Sequence, residues 1–230
     1  MLRLDGVRAR QGAFTLTAEI EIAAATTAVM GPSGGGKSTL LAVVAGFVDA
    51  TAGRILWDGR DITAAPPGDR PVAILFQEGN LFPHLTVAQN VGLGLHPSLR
   101  LREGQVRAVA AALAQVGLGG MGARRPAALS GGQQSRAALA RVLLMDRPLV
   151  LLDEPFAALG PGLRAEMLDL AAGTLRAAGR TLMIVTHDPD DAERIADEIV
   201  VVDGGRAQPP VPTKDLLSDP PQSLRDYLGR

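Results

Sequence analysis

Residues 31–38 read Gly31-Pro32-Ser33-Gly34-Gly35-Gly36-Lys37-Ser38, a G-x-x-x-x-G-K-S loop with every fixed position filled. Each residue type has a mechanical reason to stand there. The glycines let the backbone turn tightly, so that successive N–H groups converge on phosphate oxygens. Lys37 brings a positive charge to the β- and γ-phosphates, and the Ser38 hydroxyl offers an oxygen to Mg²⁺. The apolar run Ala28-Val29-Met30 before the loop reads as a strand. The stretch beginning at Thr39 reads as a helix whose N-terminal dipole faces the anion. This pattern predicts a nucleoside triphosphate site built from residues 31–39. A second chemical position is Pro148-Leu149-Val150-Leu151-Leu152-Asp153-Glu154, an apolar run that ends in two carboxylates. Ligands of open α/β sheets bind at the C-terminal edge of the strands. There Asp153 can hold the Mg²⁺ shell, directly or through water, and Glu154 can accept a proton from the water that attacks the γ-phosphate. Two acids at a strand end can also simply cap the next turn, but behind a phosphate loop the catalytic reading takes precedence.

Such groups need a scaffold, and the rest of the chain supplies its pattern. Short Leu-rich or β-branched runs alternate with Ala-rich amphipathic stretches, as in a mostly parallel sheet with helical crossovers. Arg54–Asp58, Val72–Phe76, Leu149–Leu152, Thr181–Val185 and Ile199–Val202 are the expected strands. Several are apolar almost throughout, as strands covered on both faces must be. A helix over Leu163–Leu175 places Leu163, Met167, Leu170, Ala171 and Leu175 on one face. Asp188-Pro189-Asp190-Asp191 reads as a helix start, with a capping acid and further acids beside the dipole. Between Gln77 and Pro148 the pattern becomes helical, with Val109, Ala112, Leu113 and Val116 recurring at helical spacing. From Gln208 onward, Pro-rich segments suggest a loosely packed tail.

Composition limits the function classes. With 230 residues the chain is one large domain or a core with an inserted subdomain. Hydrophobic residues make up 47% and aromatics only 3%, so the core must be aliphatic and Ala-rich. A net charge of −1 argues against a nucleic-acid partner or an anionic-lipid surface, which want a basic face. The absence of cysteine excludes disulfides, thiolate metal sites and a thiol nucleophile. Met1–Asp5 lacks the pattern of a signal peptide. No apolar run approaches the roughly 20 residues of a membrane span. The expectation is a protein soluble by itself, with any membrane role exercised through a partner.

Leu129-Ser130-Gly131-Gly132-Gln133 is by itself a loop and a helix cap. Ahead of the acidic strand and opening a helix, it closely resembles the signature motif of ATP-binding cassette proteins. Further matches stand in that family's order: Gln77 after Val72–Phe76 at the Q-loop, Asp153-Glu154-Pro155 at Walker B, Ala158-Leu159-Gly160-Pro161 at the D-loop, and His187 at the switch histidine. His84 and His96 have no such context and read as surface or packing residues. The resemblance covers residues 1–205. It implies an α/β P-loop NTPase (RecA-like) core of mostly parallel sheet, with an antiparallel N-terminal part and an inserted α-helical subdomain. In that reading residues 1–230 form one cassette domain. Segments 1–77 and 148–205 are the nucleotide-binding core, 78–147 the helical subdomain with the signature, and 206–230 a tail. The resemblance also implies catalytic roles for Glu154, His187, Gln77 and Lys37. Ser130, Gly131, Gly132 and Gln133 would contact nucleotide held by a second copy, head to tail, with ATP joining the two. Ser38, Gln77 and Asp153 would surround Mg²⁺.

The finer resemblance is to the ATPase subunits of bacterial thiamine importers. It is carried by Pro66-Pro67-Gly68-Asp69-Arg70-Pro71-Val72 and by the run from Leu75-Phe76-Gln77-Glu78-Gly79-Asn80-Leu81-Phe82 through His84–Leu95. This implies membrane permease subunits as partners, a periplasmic solute-binding protein indirectly, and a peripheral place on the cytoplasmic face of the bacterial inner membrane. The alternatives are an importer of polyamine or ferric iron, an exporter cassette, a soluble cassette of DNA repair, chromosome structure or translation, and a regulatory cassette that does not hydrolyse. One compact cassette without cysteine or net basic charge points away from the soluble cassettes, and intact Glu154 and His187 point away from the regulatory one. Three departures stand out: Gly160 in place of the D-loop aspartate, Gln134-Ser135 after the signature, and no tyrosine ahead of the phosphate loop, where Phe14 or Arg10 would have to meet the base.

Overall fold

The computed structural model describes residues 1–77, 81–222 and 224–225. Glu78-Gly79-Asn80 of the importer-like run and the end of the expected tail lie outside the described residues. In chain order the elements begin with strands β1 (Leu2–Gln11), β2 (Phe14–Ile22) and β3 (Thr26–Met30), then helix α1 (Lys37–Ala45). Next come β4 (Ala50–Trp57), β5 (Arg60–Asp61), β6 (Val72–Leu75) and three helices, α2 (Val87–Gly92), α3 (Glu103–Gln115) and α4 (Gly131–Leu144). The chain closes with β7 (Leu149–Asp153), α5 (Pro161–Ala177), β8 (Thr181–Val185), α6 (Pro189–Ile195), β9 (Glu198–Asp203), β10 (Arg206–Ala207), β11 (Val211–Pro212) and α7 (Thr213–Ser218).

The strands join in one sheet, β5-β4-β1-β2-β10-β9-β3-β8-β7-β6. Its first four members pair antiparallel, and β9, β3, β8, β7 and β6 pair parallel, as the sequence predicts. β10 is the seam, parallel to β2 and antiparallel to β9. Alternate residues of the parallel strands serve two cores. Met30, Val150, Leu152, Ile184 and Val201 face the helical side. Val29, Leu151, Met183, Val185 and Val200 face α1 and the antiparallel half. Burial on both faces explains why these strands carry no polar alternation. Expected strand Arg54–Asp58 is longer in the structure, because β1 continues to pair through Ala52 and Ala50, where side-chain pattern gives no signal. The helical insertion is as expected, with Val109, Ala112, Leu113 and Val116 buried.

The reading of a loose tail is corrected. Arg206–Ala207 belongs to the sheet, Val211–Pro212 pairs with β9, and Leu216 is buried. Proline there ends elements without loosening them. Thr213 holds the junction, its hydroxyl donating to the Ala196 carbonyl at 2.8 Å.

Arg70, 1% exposed, ties the phosphate helix to the turn that follows β5. Its Nη1 donates to the Val43 and Val44 carbonyls, each at 2.8 Å. Its Nε and Nη2 reach the carbonyls of Ala65 at 2.9 Å and Thr63 at 2.8 Å. Val43 and Val44 lie in the last turn of α1, which carries the negative end of the dipole, and the Val43 carbonyl also accepts from Gly46 N at 3.2 Å. Gly46 leaves room for the guanidinium, since a Cβ there would lie 2.6 Å from Nε. Arg70→Met would leave the Val44, Ala65 and Thr63 carbonyls without their guanidinium partner and should lower the unfolding free energy by on the order of 3 kcal/mol. Urea denaturation measures it, and a loss below the usual ±0.5 kcal/mol of surface changes would refute the role.

Candidate nucleotide site

The loop between β3 and α1 lies against the end of β9. Gly31, at φ 141°, and Gly35 face the Val202 carbonyl so closely that no Cβ fits; at Gly35 it would stand 2.7 Å from that oxygen. The Gly35 carbonyl accepts from Gly205 N at 3.0 Å, which fastens the loop to the β9–β10 turn. Gly36, at φ 110°, has the Phe14 ring over it, 2.8 Å from where a Cβ would be. Lys37 opens α1 and is 8% exposed, with Nζ donating to the Gly31 and Pro32 carbonyls at 2.8 and 2.9 Å. Burial pulls its ammonium below the ordinary lysine value, while Glu154 and Asp153 oppose the shift.

An open cleft of about 420 Å³ runs over this loop. Ser33, Gly34, Gly36, Lys37, Ser38 and Thr39 line it, and Gln77 and Glu154 lie across from them. Gly31, Pro32 and Gly35 form the loop backbone behind that wall. Gln11 and Phe14, from the β1–β2 turn, complete the cleft. Phe14 lines the cleft beside the loop, whereas the Arg10 Nε is engaged with the Gly12 carbonyl at 3.0 Å. Gln11 was not foreseen; an isolated glutamine at a strand end carries no motif. His84 and His96 are exposed, as expected.

β7 ends at Asp153, and Glu154 follows in the left-handed region at φ 44°, with its N–H donating to the Val185 carbonyl at 3.3 Å. A non-glycine there carries roughly 1–3 kcal/mol of strain. That turn brings Glu154 Oε2 within 3.6 Å of His187 Nδ1. Asp153 is 5% exposed; burial raises its pKa above the ordinary value, a hydrogen bond from Ser38 lowers it, Glu154 raises it and Lys37 lowers it. Its Oδ1 has no hydrogen-bond partner. A buried oxygen left unmatched beside a serine hydroxyl fits a hard divalent cation with oxygen ligands. Ser38 and Asp153 are the residues that would hold it, and Gln77 lies on the same cleft.

Ser130 caps α4, accepting from Gln133 N at 3.3 Å while its own N–H donates to Gln133 Oε1 at 3.0 Å. Gln134, one of the departures, donates to the Pro126 and Leu129 carbonyls at 3.1 and 3.3 Å and so braces the preceding turn. Ser130 and Gly131 are exposed, and Ser130–Gln133 line no part of the cleft. The structure thus gathers Lys37, Ser38, Gln77, Asp153, Glu154 and His187, and holds Ser130–Gln133 apart.

A family model described as ABC transporter matches residues 19–157. The chain is 58% identical over 230 residues to the thiamine import ATP-binding protein ThiQ of Ruegeria sp. (strain TM1040), covering all of both chains. It is 56% identical to the protein of the same name from Cereibacter sphaeroides, again over the whole of both. Among solved structures, MJ1267, an ATP-binding cassette of an ABC transporter in its ADP conformation, superposes with TM-score 0.84 at 26% identity, over 100% of this chain and 99% of that one. A dimeric post-hydrolysis state of the cassette MJ0796, bound to ADP and Pi, gives TM-score 0.82 at 27% identity over 93% and 99%.

The raised Asp153 carboxyl has a consequence for stability. A carboxyl whose folded pKa is raised holds its proton more tightly folded than unfolded, so stability falls as pH climbs from 3.8, the ordinary value, through the raised one. Above the raised value the penalty is fully present. Asp153→Asn should therefore raise the thermal midpoint of the nucleotide-free chain at pH 7, with the gain shrinking as pH falls towards about 4. Calorimetry across that range checks it; a midpoint lowered at pH 7 would contradict the assignment.

Proposed function

The chain belongs to the ABC transporter family, and from that premise we propose that it is the ATP-hydrolysing subunit of an importer whose cargo is thiamine or its phosphates. The observation that carries the reading is one cleft in which Lys37 and Ser38 stand opposite Glu154, with His187 3.6 Å behind that carboxylate. ATP would lay its phosphates along residues 31–39, where backbone N–H groups and Lys37 meet them. Bound Mg²⁺ would neutralise charge on the β- and γ-phosphate oxygens. Glu154 would take the proton of the attacking water, and His187, beside it, would contact the γ-phosphate. Gln77, where the sheet ends, would orient that water and report to the permease. Ser130–Gln133 of a second copy would close the site.

Likeness at 58% and 56% identity, over whole chains, to proteins named for thiamine import supports the cargo. No helix among the described residues is long and apolar enough to cross a membrane, so passage would belong to permease subunits. This subunit would lie at the cytoplasmic face. Phe47 and Phe76, 56% and 36% exposed and packed edge to face at 5.2 Å, offer apolar surface beside Gln77 for that contact.

Cells lacking this chain should lose uptake of labelled thiamine, and wild type but not Glu154→Gln should restore it. Normal thiamine uptake with a defect for a polyamine or ferric iron would overturn the cargo. Gly160, the N-cap of α5, has nothing within 4 Å of where a Cβ would be. Gly160→Asp should therefore fold and add a few tenths of a kcal/mol to stability as a better N-cap. It should also change the cooperativity of ATP turnover; identical kinetics would show that the departure is silent.

A further inference from the structure

His187 is half exposed, and its place is set by the residues on either side of it. Thr186 and Asp188 are both held by a network the proposed chemistry does not use. Asp191, in α6, is 8% exposed and Thr186 is 3% exposed. A single Asp191 oxygen, Oδ2, accepts from Arg164 Nε at 2.9 Å, from Thr186 Oγ1 at 2.7 Å and from Arg164 Nη2. Thr186 Oγ1 in turn accepts from the Asp188 N–H at 3.1 Å and from Arg164 Nη2 at 3.3 Å. Arg164 Nη1 stands 3.6 Å from Asp188 Oδ2. Arg164 belongs to the first turn of α5, the helix capped by Gly160. Glu154, His187, Arg164, Thr186 and Asp191 line one small pocket together.

We infer that Arg164, Asp191 and Thr186 are positioning residues that fix His187 against Glu154 and anchor that pair to the start of α5. The inference rests on the ATPase reading above. The Asp188 N–H and Arg164 Nη2 converge on Thr186 Oγ1, which itself donates to Asp191 Oδ2, so removing that oxygen frees the hinge of the His187 segment. A buried carboxylate with three donors on one oxygen resists rotation, which makes α6 and α5 move as one body around that hinge. Displacement of α5 at Gly160 is thereby delivered to the histidine.

The test uses initial rates of Mg²⁺-ATP hydrolysis by the full-length chain. Thr186→Val should lower kcat about tenfold with KM changed less than twofold, while Thr186→Ser, which keeps the hydroxyl, should retain the wild-type rate. Asp191→Asn should behave like Thr186→Val. In a His187→Ala background neither change should lower the rate further. Losses that multiply in that background, or that fall on KM, would overturn the inference and leave the network a structural tie between α5 and α6. Should Asp191→Asn fail to fold, the two Thr186 variants decide the matter. A wild-type chain that does not hydrolyse ATP, under conditions where it is folded by circular dichroism, would sink the functional reading and this inference with it.

Discussion

The close approach of the phosphate loop to the end of β9 is the contact from which the site follows. Gly31 and Gly35 press on the Val202 carbonyl, and the loop is pinned again where Gly205 N donates to Gly35. That fixes the loop at the C-terminal edge of β3, one strand inside the parallel half of the sheet. The strand beside β3 is β8, which delivers His187. The next is β7, which delivers Asp153 and Glu154, and beyond it β6 leads to Gln77. Sheet order thus converts four distant stretches of sequence into one rim, as open α/β sheets do at their carboxyl ends. Side chains at that rim need only modest reach.

Building the rim this way loads it with unfavourable terms. Lys37 and Asp153 are each driven toward neutrality by burial, and each partly offsets the other. Glu154 sits in a backbone conformation that side chains avoid. Strain and desolvation of this kind persist only where the surroundings over-determine them. Here the surroundings are two aliphatic cores on opposite faces of the same strands and the Arg70 clamp on the far end of α1. The helix that presents its N-terminus to phosphate is therefore held by its C-terminus.

What the sequence disclosed and what it withheld divide along physical lines. Groups in local motifs were legible: spacing places residues 31–39 and Asp153-Glu154, and resemblance to the cassette signature marks Ser130–Gln133. The strands with two buried faces were legible because nothing else is apolar for so short a run. Arg70 stood in the sequence between prolines, with no cue that it would bury its guanidinium among carbonyls 5 to 27 residues away. Arg164 and Asp191 looked like ordinary charges of helix starts; they meet only because α5 and α6 pack at the rim. The docked course of residues 206–218 was hidden for the opposite reason. Its prolines mark turns, and the contacts that hold it, β10 on β2 and β11 on β9, are non-local.

The separation of Ser130–Gln133 from the cleft argues that the site is half of a larger one. The capping box satisfies the N–H groups of Ser130 and Gln133, leaving those of Gly131 and Gly132, for which a helix provides no internal acceptor. Ser130 Oγ accepts from Gln133, so its proton is still available to an anion. A helix start equipped to bind phosphate and turned away from its own phosphate loop makes sense if the phosphate belongs to another copy, and a dimeric cassette is among the structures this chain resembles. Gly132 also packs on Leu159, which would lie 2.5 Å from a Cβ there. Leu159 immediately precedes Gly160, so the α4 terminus touches, within one chain, the same turn from which Arg164 reaches back to the His187 segment. The start of α4 and the His187 segment are therefore joined within one chain through packing at Leu159 and hydrogen bonds at Arg164, with no carboxylate at position 160.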